Sequence, residues 1–214
     1  MTLSPEKENV MKPLKHLDKT SWTYGDYLNW PEDERWEIID GEAYAMNAPN
    51  TPHQQVSRNL CFQIQSFLEG KPCEMFNAPY DVLLPKENEA DEKIKTVVQP
   101  DIIVVCDPEK IIERGCRGAP DWVIEILSPS SSGMDHIRKR NLYERHGVKE
   151  YWVVQPGERS IWVAHFVGKR FSQAIEYFET DRVKVKAVPG LEIDLSNVFP
   201  PKPKSVREPP RRYI

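Results

Sequence analysis

Long hydrophobic runs are missing from this 214-residue chain. Nowhere do 18 apolar residues follow one another, so no segment is expected to span a membrane as a helix. The opening MTLSPEKENVMKPLKHLDKT has no apolar core of the signal-peptide kind, which makes the cytoplasm the expected location. Cysteine is scarce and scattered: Cys61, Cys73, Cys106 and Cys116 form no C-x-x-C pair and have no adjacent histidine at zinc spacing. Without a secretory signal no disulfide framework is expected, and the thiols read as structural or incidental. Positive charge is not in excess either, since 29 Lys and Arg face 33 Asp and Glu for a net charge of −4. The total therefore does not mark a nucleic-acid protein. Contact with phosphates needs only a local basic surface, however. Such charge gathers at Arg138-Lys139-Arg140 and in the tail at Lys202, Lys204, Arg207, Arg211 and Arg212.

What is present is enough for one globular domain with a core: 39% hydrophobic and 29% charged residues, without internal repeats. Residues 1–20 are polar and expected to be loose. Thr23 caps a short helix that ends at Trp30-Pro31. RWEIIDGEAYAMNAP is two β-prone runs joined by Asp40-Gly41, a pair that tolerates positive φ and so signals a hairpin. From Pro52 to Glu69, Val56, Leu60, Ile64, Phe67 and Leu68 recur at helical spacing, and Gly70 stops the run. Strand-like runs follow at Phe76–Leu84, Val97–Cys106 and Trp122–Leu127, with a charge-dense solvated link over Pro85–Thr96. Met134–His146 reads as a helix ended by Gly147. Further strands are expected at Tyr151–Gln155, Ile161–Val167, Arg170–Phe178 and Arg182–Val188. The strand–helix–strand unit from Trp122 to Gln155 suits a crossover between parallel strands. The expected architecture is α/β or α+β: a flexible segment 1–20, one domain over 21–199, and a Pro-rich basic tail over 200–214.

Two carboxylates sit where they should be costly. Glu125 interrupts the apolar run Ile124-Glu125-Ile126-Leu127, and Asp101 lies in VVQPDIIVV. A charge buried in a sheet without a partner costs several kcal/mol. Strand alternation puts Gln99, Asp101, Ile103 and Val105 on one side, and Val123, Glu125 and Leu127 on one side of the next strand. If the strands pair, the two acids converge and repel unless a cation lies between them. On the following helix Asp135, Lys139 and Tyr143 stand at i, i+4 and i+8, drifting about 40° per step along one face. Lys139 near the helix start can fold back over the end of the Glu125 strand. Spacing alone leaves three readings open: a metal-binding acid pair, a structural salt bridge between Glu125 and Lys139, and a simple solvated helix face.

The order of the motifs adds to this. ERWEIIDGEAYAMNAP, His53 at the head of a helix, PDIIVV, GAPDWVIEILSPSSS, and D-x-x-x-K-x-x-x-Y-x-x-x-GVKEYWVVQP together resemble the Uma2 (Uma-two) family of restriction-endonuclease-like proteins, over roughly Tyr24 to Phe199. That family is assigned to the PD-(D/E)xK nuclease superfamily, so the resemblance implies a restriction-endonuclease-like mixed sheet flanked by helices, with additional antiparallel strands. It implies that Asp101 and Glu125, with the backbone carbonyl of Ile126, hold Mg²⁺ or Mn²⁺. Leu127 stands where the superfamily lysine is expected, and the resemblance implies a migrated lysine, Lys139. Glu37, His53 and Tyr143 are further candidates; each also has a structural reading, as a strand-face acid, a helix cap and a core residue. Asp121 reads as the residue where the chain enters its strand, and Trp152 as core.

The functions in play are then a Mg²⁺-dependent endonuclease acting on DNA, expected as a homodimer because two strands favour two symmetric sites, and a catalytically silent nuclease-like domain serving nucleic-acid or protein binding. A carboxylate-pair glycosidase ranks below both, because aromatic sugar platforms are lacking around the acids and Lys139 is left unexplained.

Overall fold

The structure, a computed structural model, describes residues 19–31, 34–128 and 133–201, and of 133–135 the backbone alone. Most of the segment expected to be loose at the N-terminus, the basic tail beyond Pro201 and the side chain of Asp135 lie outside the described residues. The elements are α1 (Tyr24–Tyr27), β1 (Trp36–Ile39), β2 (Glu42–Ala45), α2 (Thr51–Leu68), β3 (Glu74–Asn77), β4 (Asp81–Leu83), β5 (Val97–Val98) and β6 (Ile102–Val105). There follow β7 (Ile111–Ile112), β8 (Gly115–Arg117), β9 (Trp122–Ile126), α3 (Gly133–His146), β10 (Glu150–Gln155) and β11 (Ser160–Val167). The chain closes with β12 (Arg170–Phe171), β13 (Ile175–Phe178), β14 (Arg182–Lys184) and β15 (Glu192–Asp194).

A central seven-stranded sheet runs β12-β11-β10-β9-β6-β3, with β13 also on β11. Its middle pair, β9 and β10, is parallel and joined through α3, as the strand–helix–strand reading expected. A six-stranded sheet, β2-β1-β5-β4-β8-β7, lies beside it, and β14 and β15 form a small ribbon. The middle strands are apolar on both sides because both faces are covered. On one face α2 seats Val56, Leu60, Ile64 and Leu68 against Ile102, Val104, Trp122, Ile124 and Trp152, with Ile193 and Leu195 of the C-terminal ribbon region closing the layer. Each fully buried side chain of that helix stripe contributes about 1.5–3 kcal/mol. On the other face Leu142, Tyr143 and Val148 pack with Val105, Val123, Tyr151 and Val153, and with Val82, Val98 and Cys116 of the second sheet.

Local chemistry explains the boundaries. Asp40 and Gly41 both take positive φ, 53° and 89°, giving the tight β1–β2 hairpin the sequence called for. Asn50 caps α2 by accepting a hydrogen bond from the His53 backbone N–H at 3.0 Å. Three expected strands divide. Phe76–Leu84 breaks around the cis Ala78–Pro79 bond into β3 of the central sheet and β4 of the second. Val97–Cys106 breaks at Gln99-Pro100-Asp101 into β5 and β6, again in different sheets, because Pro100 has no N–H to give a ladder. Arg170–Phe178 parts into β12 and β13, and Arg182–Val188 shortens to β14.

The cysteine expectation is corrected. Antiparallel pairing of β3 with β6 sets Glu74 opposite Val105, which carries Cys73 to Cys106, and the two form a disulfide. Their separation of 33 residues hid the pairing, since only the strand register brings them together. Cys61 and Cys116 are free thiols. Among the described residues no helix is long and apolar enough to cross a membrane.

Candidate active site

The seam between the two sheets makes the site. Residues 99–101 cross from β5 to β6, so the chain presents Gln99 to the second sheet and Asp101 to the central one. The Gln99 backbone N–H donates to Glu37 Oε1 at 2.8 Å, fastening the crossover to β1. Asp101 Oδ2 accepts from the Ile126 backbone N–H at 2.7 Å, fastening it to the end of β9. The alternation expected through Asp101 stops here: Asp101 lies in a bend, and its other oxygen, Oδ1, is 3.1 Å from His53 Nε2 on α2. That contact uses the Nε2 hydrogen of His53, whose Nδ1 is buried without a hydrogen-bond partner among the described residues.

Glu125 projects from β9 to the α3 side and is buried. Lys139, one turn and a half into α3, places Nζ 3.0 Å from Glu37 Oε1 and 3.3 Å from Glu125 Oε1. All three side chains are nearly inaccessible, so the ammonium is shared by two buried carboxylates rather than solvated. Tyr143, one turn further along the same helix face, donates from its hydroxyl to Glu125 Oε1 at 2.6 Å. Its placement therefore serves more than packing. Burial pushes the Glu125 carboxyl well above the ordinary carboxylate range. Lys139 pulls it back down, Asp101 and Glu37 add to the rise, and the Tyr143 hydrogen bond opposes it. Burial, with the Glu125 charge behind it, likewise holds the Tyr143 hydroxyl well above its usual value.

Arg35, Glu37, His53, Gln99, Asp101, Glu125, Ile126 and Lys139 line one cleft of about 150 Å³. Leu127, at the position of the missing lysine, lines it too, with its backbone N–H given to Val154. Thus Asp101, Glu125, Lys139, Glu37 and His53 come together, with Tyr143 behind Glu125. Asp121 stands apart: it accepts from the Cys106 backbone N–H at 2.7 Å and does not reach the cleft. Trp152 is core, edge-on to Trp122. Two cleft residues, Arg35 and Gln99, carry no motif that picks them out; the only signal is that Arg35 shares the Glu37 face of its strand and Gln99 precedes the Pro-Asp pair.

Whether the acids fit a metal is a question of donor type. The cleft offers carboxylate oxygens from Asp101 and Glu125 beside the Ile126 backbone, a hard donor set suited to Mg²⁺ or Mn²⁺. Among the described residues no three His, Cys, Asp or Glu side chains gather as a preformed cage. Two carboxylates completed by water and substrate is the usual way Mg²⁺ is held, so the residues fit.

Mixed sheet, flanking helices and acids at the seam define a nuclease-type, restriction-endonuclease-like fold. A crystal structure from Anabaena variabilis, titled as a "putative nuclease" of the DUF820 group, superposes with a TM-score of 0.66 and 21% identity, covering 83% of this chain and 97% of that one. An uncharacterised Synechocystis protein is 26% identical over 177 residues, 81% of this chain and 89% of its own length. The model of the Uma2 family, described as "Putative restriction endonuclease", matches residues 24–196, and the chain belongs to that family.

Proposed function

We propose that this chain is a Mg²⁺- or Mn²⁺-dependent endonuclease that hydrolyses phosphodiester bonds in DNA, working as a homodimer. The observation that carries the reading is the meeting of Asp101, Glu125 and Lys139 in one cleft, from the β5–β6 crossover, β9 and α3. Asp101, Glu125 and the Ile126 carbonyl would hold the cation. When bound, such a cation offsets charge on a scissile phosphate and acidifies water. The chain's own residues do the positioning. Ile126 N–H fixes the Asp101 carboxylate, Tyr143 fixes that of Glu125, and Glu37 holds Lys139 at the cleft floor. Lys139 acts as a cation, because two adjacent carboxylates favour its charged form. It stabilises the charge that builds on the phosphate.

The test is cleavage of plasmid DNA in Mg²⁺ or Mn²⁺, with Asp101→Ala and Lys139→Ala abolishing it. Cleavage that both variants leave intact sinks the assignment. Sedimentation of the free protein checks the dimer, which a monomer at working concentration overturns.

One observation favours a second reading, a nuclease-like domain that binds without cutting. Lys139 is already engaged by Glu37 and Glu125, and His53 by Asp101, so each of the three carboxylates has a side-chain partner without a metal. That reading expects no stabilisation by Mn²⁺ and DNA affinity indifferent to it.

A further inference from the structure

Arg35 has no part in the acid cluster, yet it lines the same cleft. It extends β1 by one residue: Met46 N–H donates to Arg35 C=O at 2.9 Å, continuing the hairpin ladder. Arg35 and Glu37 therefore share one face of the strand, about 7 Å apart along it. The guanidinium does not drift. Its Nε and Nη2 both donate to Gln99 Oε1, at 3.2 and 3.0 Å. Gln99 is itself buried and pinned, giving its amide hydrogens to Tyr27 OH at 3.0 Å and Asp81 Oδ1 at 2.9 Å, while its backbone N–H goes to Glu37. Tyr27 OH also donates to Asp81 Oδ1, at 3.1 Å. A neutral amide oxygen, rather than a carboxylate, holds the arginine, so its charge is oriented but not cancelled by an ion pair. Among the described residues Nη1 has no hydrogen-bond acceptor. An arginine with one edge fixed and a free edge in a cleft matches the planar, charge-assisted recognition of a phosphate.

We infer that Arg35 binds a second phosphate of the substrate, one nucleotide step from the phosphate at Lys139. This rests on the phosphodiesterase reading and deepens it, since a cleft with two cationic seats, Arg35 on the β1 face and Lys139 held to that face by Glu37, takes a polynucleotide and not an isolated phosphomonoester. Gln99 is the positioning residue for Arg35.

The test reads the side chain itself. Protein labelled with ¹⁵N-arginine is titrated with inorganic phosphate, and the Arg35 Nε resonance is assigned by its loss in Arg35→Lys. A saturable shift of that resonance, in the wild type and equally in Asp101→Ala, is expected. A resonance indifferent to phosphate overturns the inference. Because no cleavage is involved, a protein that binds phosphate at Arg35 but cuts no DNA leaves this seat standing and removes only the nuclease reading. A protein that cuts DNA with a silent Arg35 removes only this inference. With active protein, Arg35→Lys raises KM for a short oligonucleotide about tenfold or more with kcat held, the value of one charge-assisted contact. A fall in kcat at unchanged KM counts against it. Thermal melting of Arg35→Lys that matches the wild type keeps either kinetic result from being a folding defect.

Discussion

Two buried glutamates sit on neighbouring parallel strands, and they do opposite things. Glu150 opens β10 at the level of Trp122, is wholly inaccessible and faces the α2 side. It accepts from Trp152 Nε1 and from the Ala187 backbone N–H, both at 2.7 Å, which ties the C-terminal ribbon region to the central sheet. Glu125, further along β9 and on the other face, meets an ammonium, a phenol and two more acids beside a cleft. Burial raises both carboxyls above their ordinary range. Burial of an acid is thus no sign of function in itself. What separates the two is company: Glu150 is tied by the Trp152 and Ala187 N–H groups, with the His165 ring 3.8 Å away and the Lys186 charge nearby, whereas Glu125 shares the Lys139 ammonium with Glu37 and stands near Asp101.

The sharpest way to break this comparison is a pair of isosteric changes. Glu125→Gln should lower metal-dependent DNA cleavage by about 10²–10³-fold, the scale of losing one positioned charge-stabilising group, while Glu150→Gln leaves the rate per folded molecule unchanged. Equal losses measured in a plasmid-nicking assay would erase the distinction. Next in size is Lys139→Met in metal-free buffer. Removing the shared ammonium strands two buried carboxylates and should cost about 3–5 kcal/mol in urea unfolding; a midpoint equal to that of the wild type would mean the carboxylates are compensated otherwise. Glu150→Gln itself should cost about 1–2 kcal/mol, because the amide can accept from Trp152 or from Ala187 but presents only one oxygen. Denaturant melts without a shift would show the Glu150 contacts to be dispensable.

A pH-dependent effect comes from a buried imidazole. His146, at the end of α3, has its Nε2 buried without a partner among the described residues, and burial lowers its pKa from 6.5 to about 4, with Arg145 adding to the fall. The unfolded chain therefore binds the proton more readily than the native one. The stability linked to it is fully present above about pH 6.5 and is lost as the pH falls toward about 4. Thermal melts of His146→Gln against the wild type should converge as the pH drops through that window, and parallel curves would refute the linkage.

Local signals made much of the framework legible. The Asp40-Gly41 hairpin, the α2 stripe and the β9–α3–β10 unit follow from turn chemistry and periodicity, which act over a few residues. The candidate acids and Lys139 were also legible, because a charge inside an apolar strand demands a partner and motif order supplied one. Gln99 and Arg35 were not, since their meaning depends on a crossover between sheets. Tyr143 was legible as a candidate on the Lys139 face, but its hydrogen bond to Glu125 depends on α3 lying over β9. Cys73 and Cys106 show the limit most simply. Nothing in either segment marks the pair, and only the β3–β6 register makes them neighbours.

The sequence by itself determined the two long helices, the main apolar strand runs, the Asp40-Gly41 turn, and that charged groups had to be buried in partnership. Tertiary structure alone decided who the partners are. Propensity and periodicity are properties of neighbours along the chain, whereas compensation of a buried charge depends on distance in space. Residues 37, 101, 125 and 139 come within reach of one another only when the chain changes sheets at Pro100 and α3 folds back over β9.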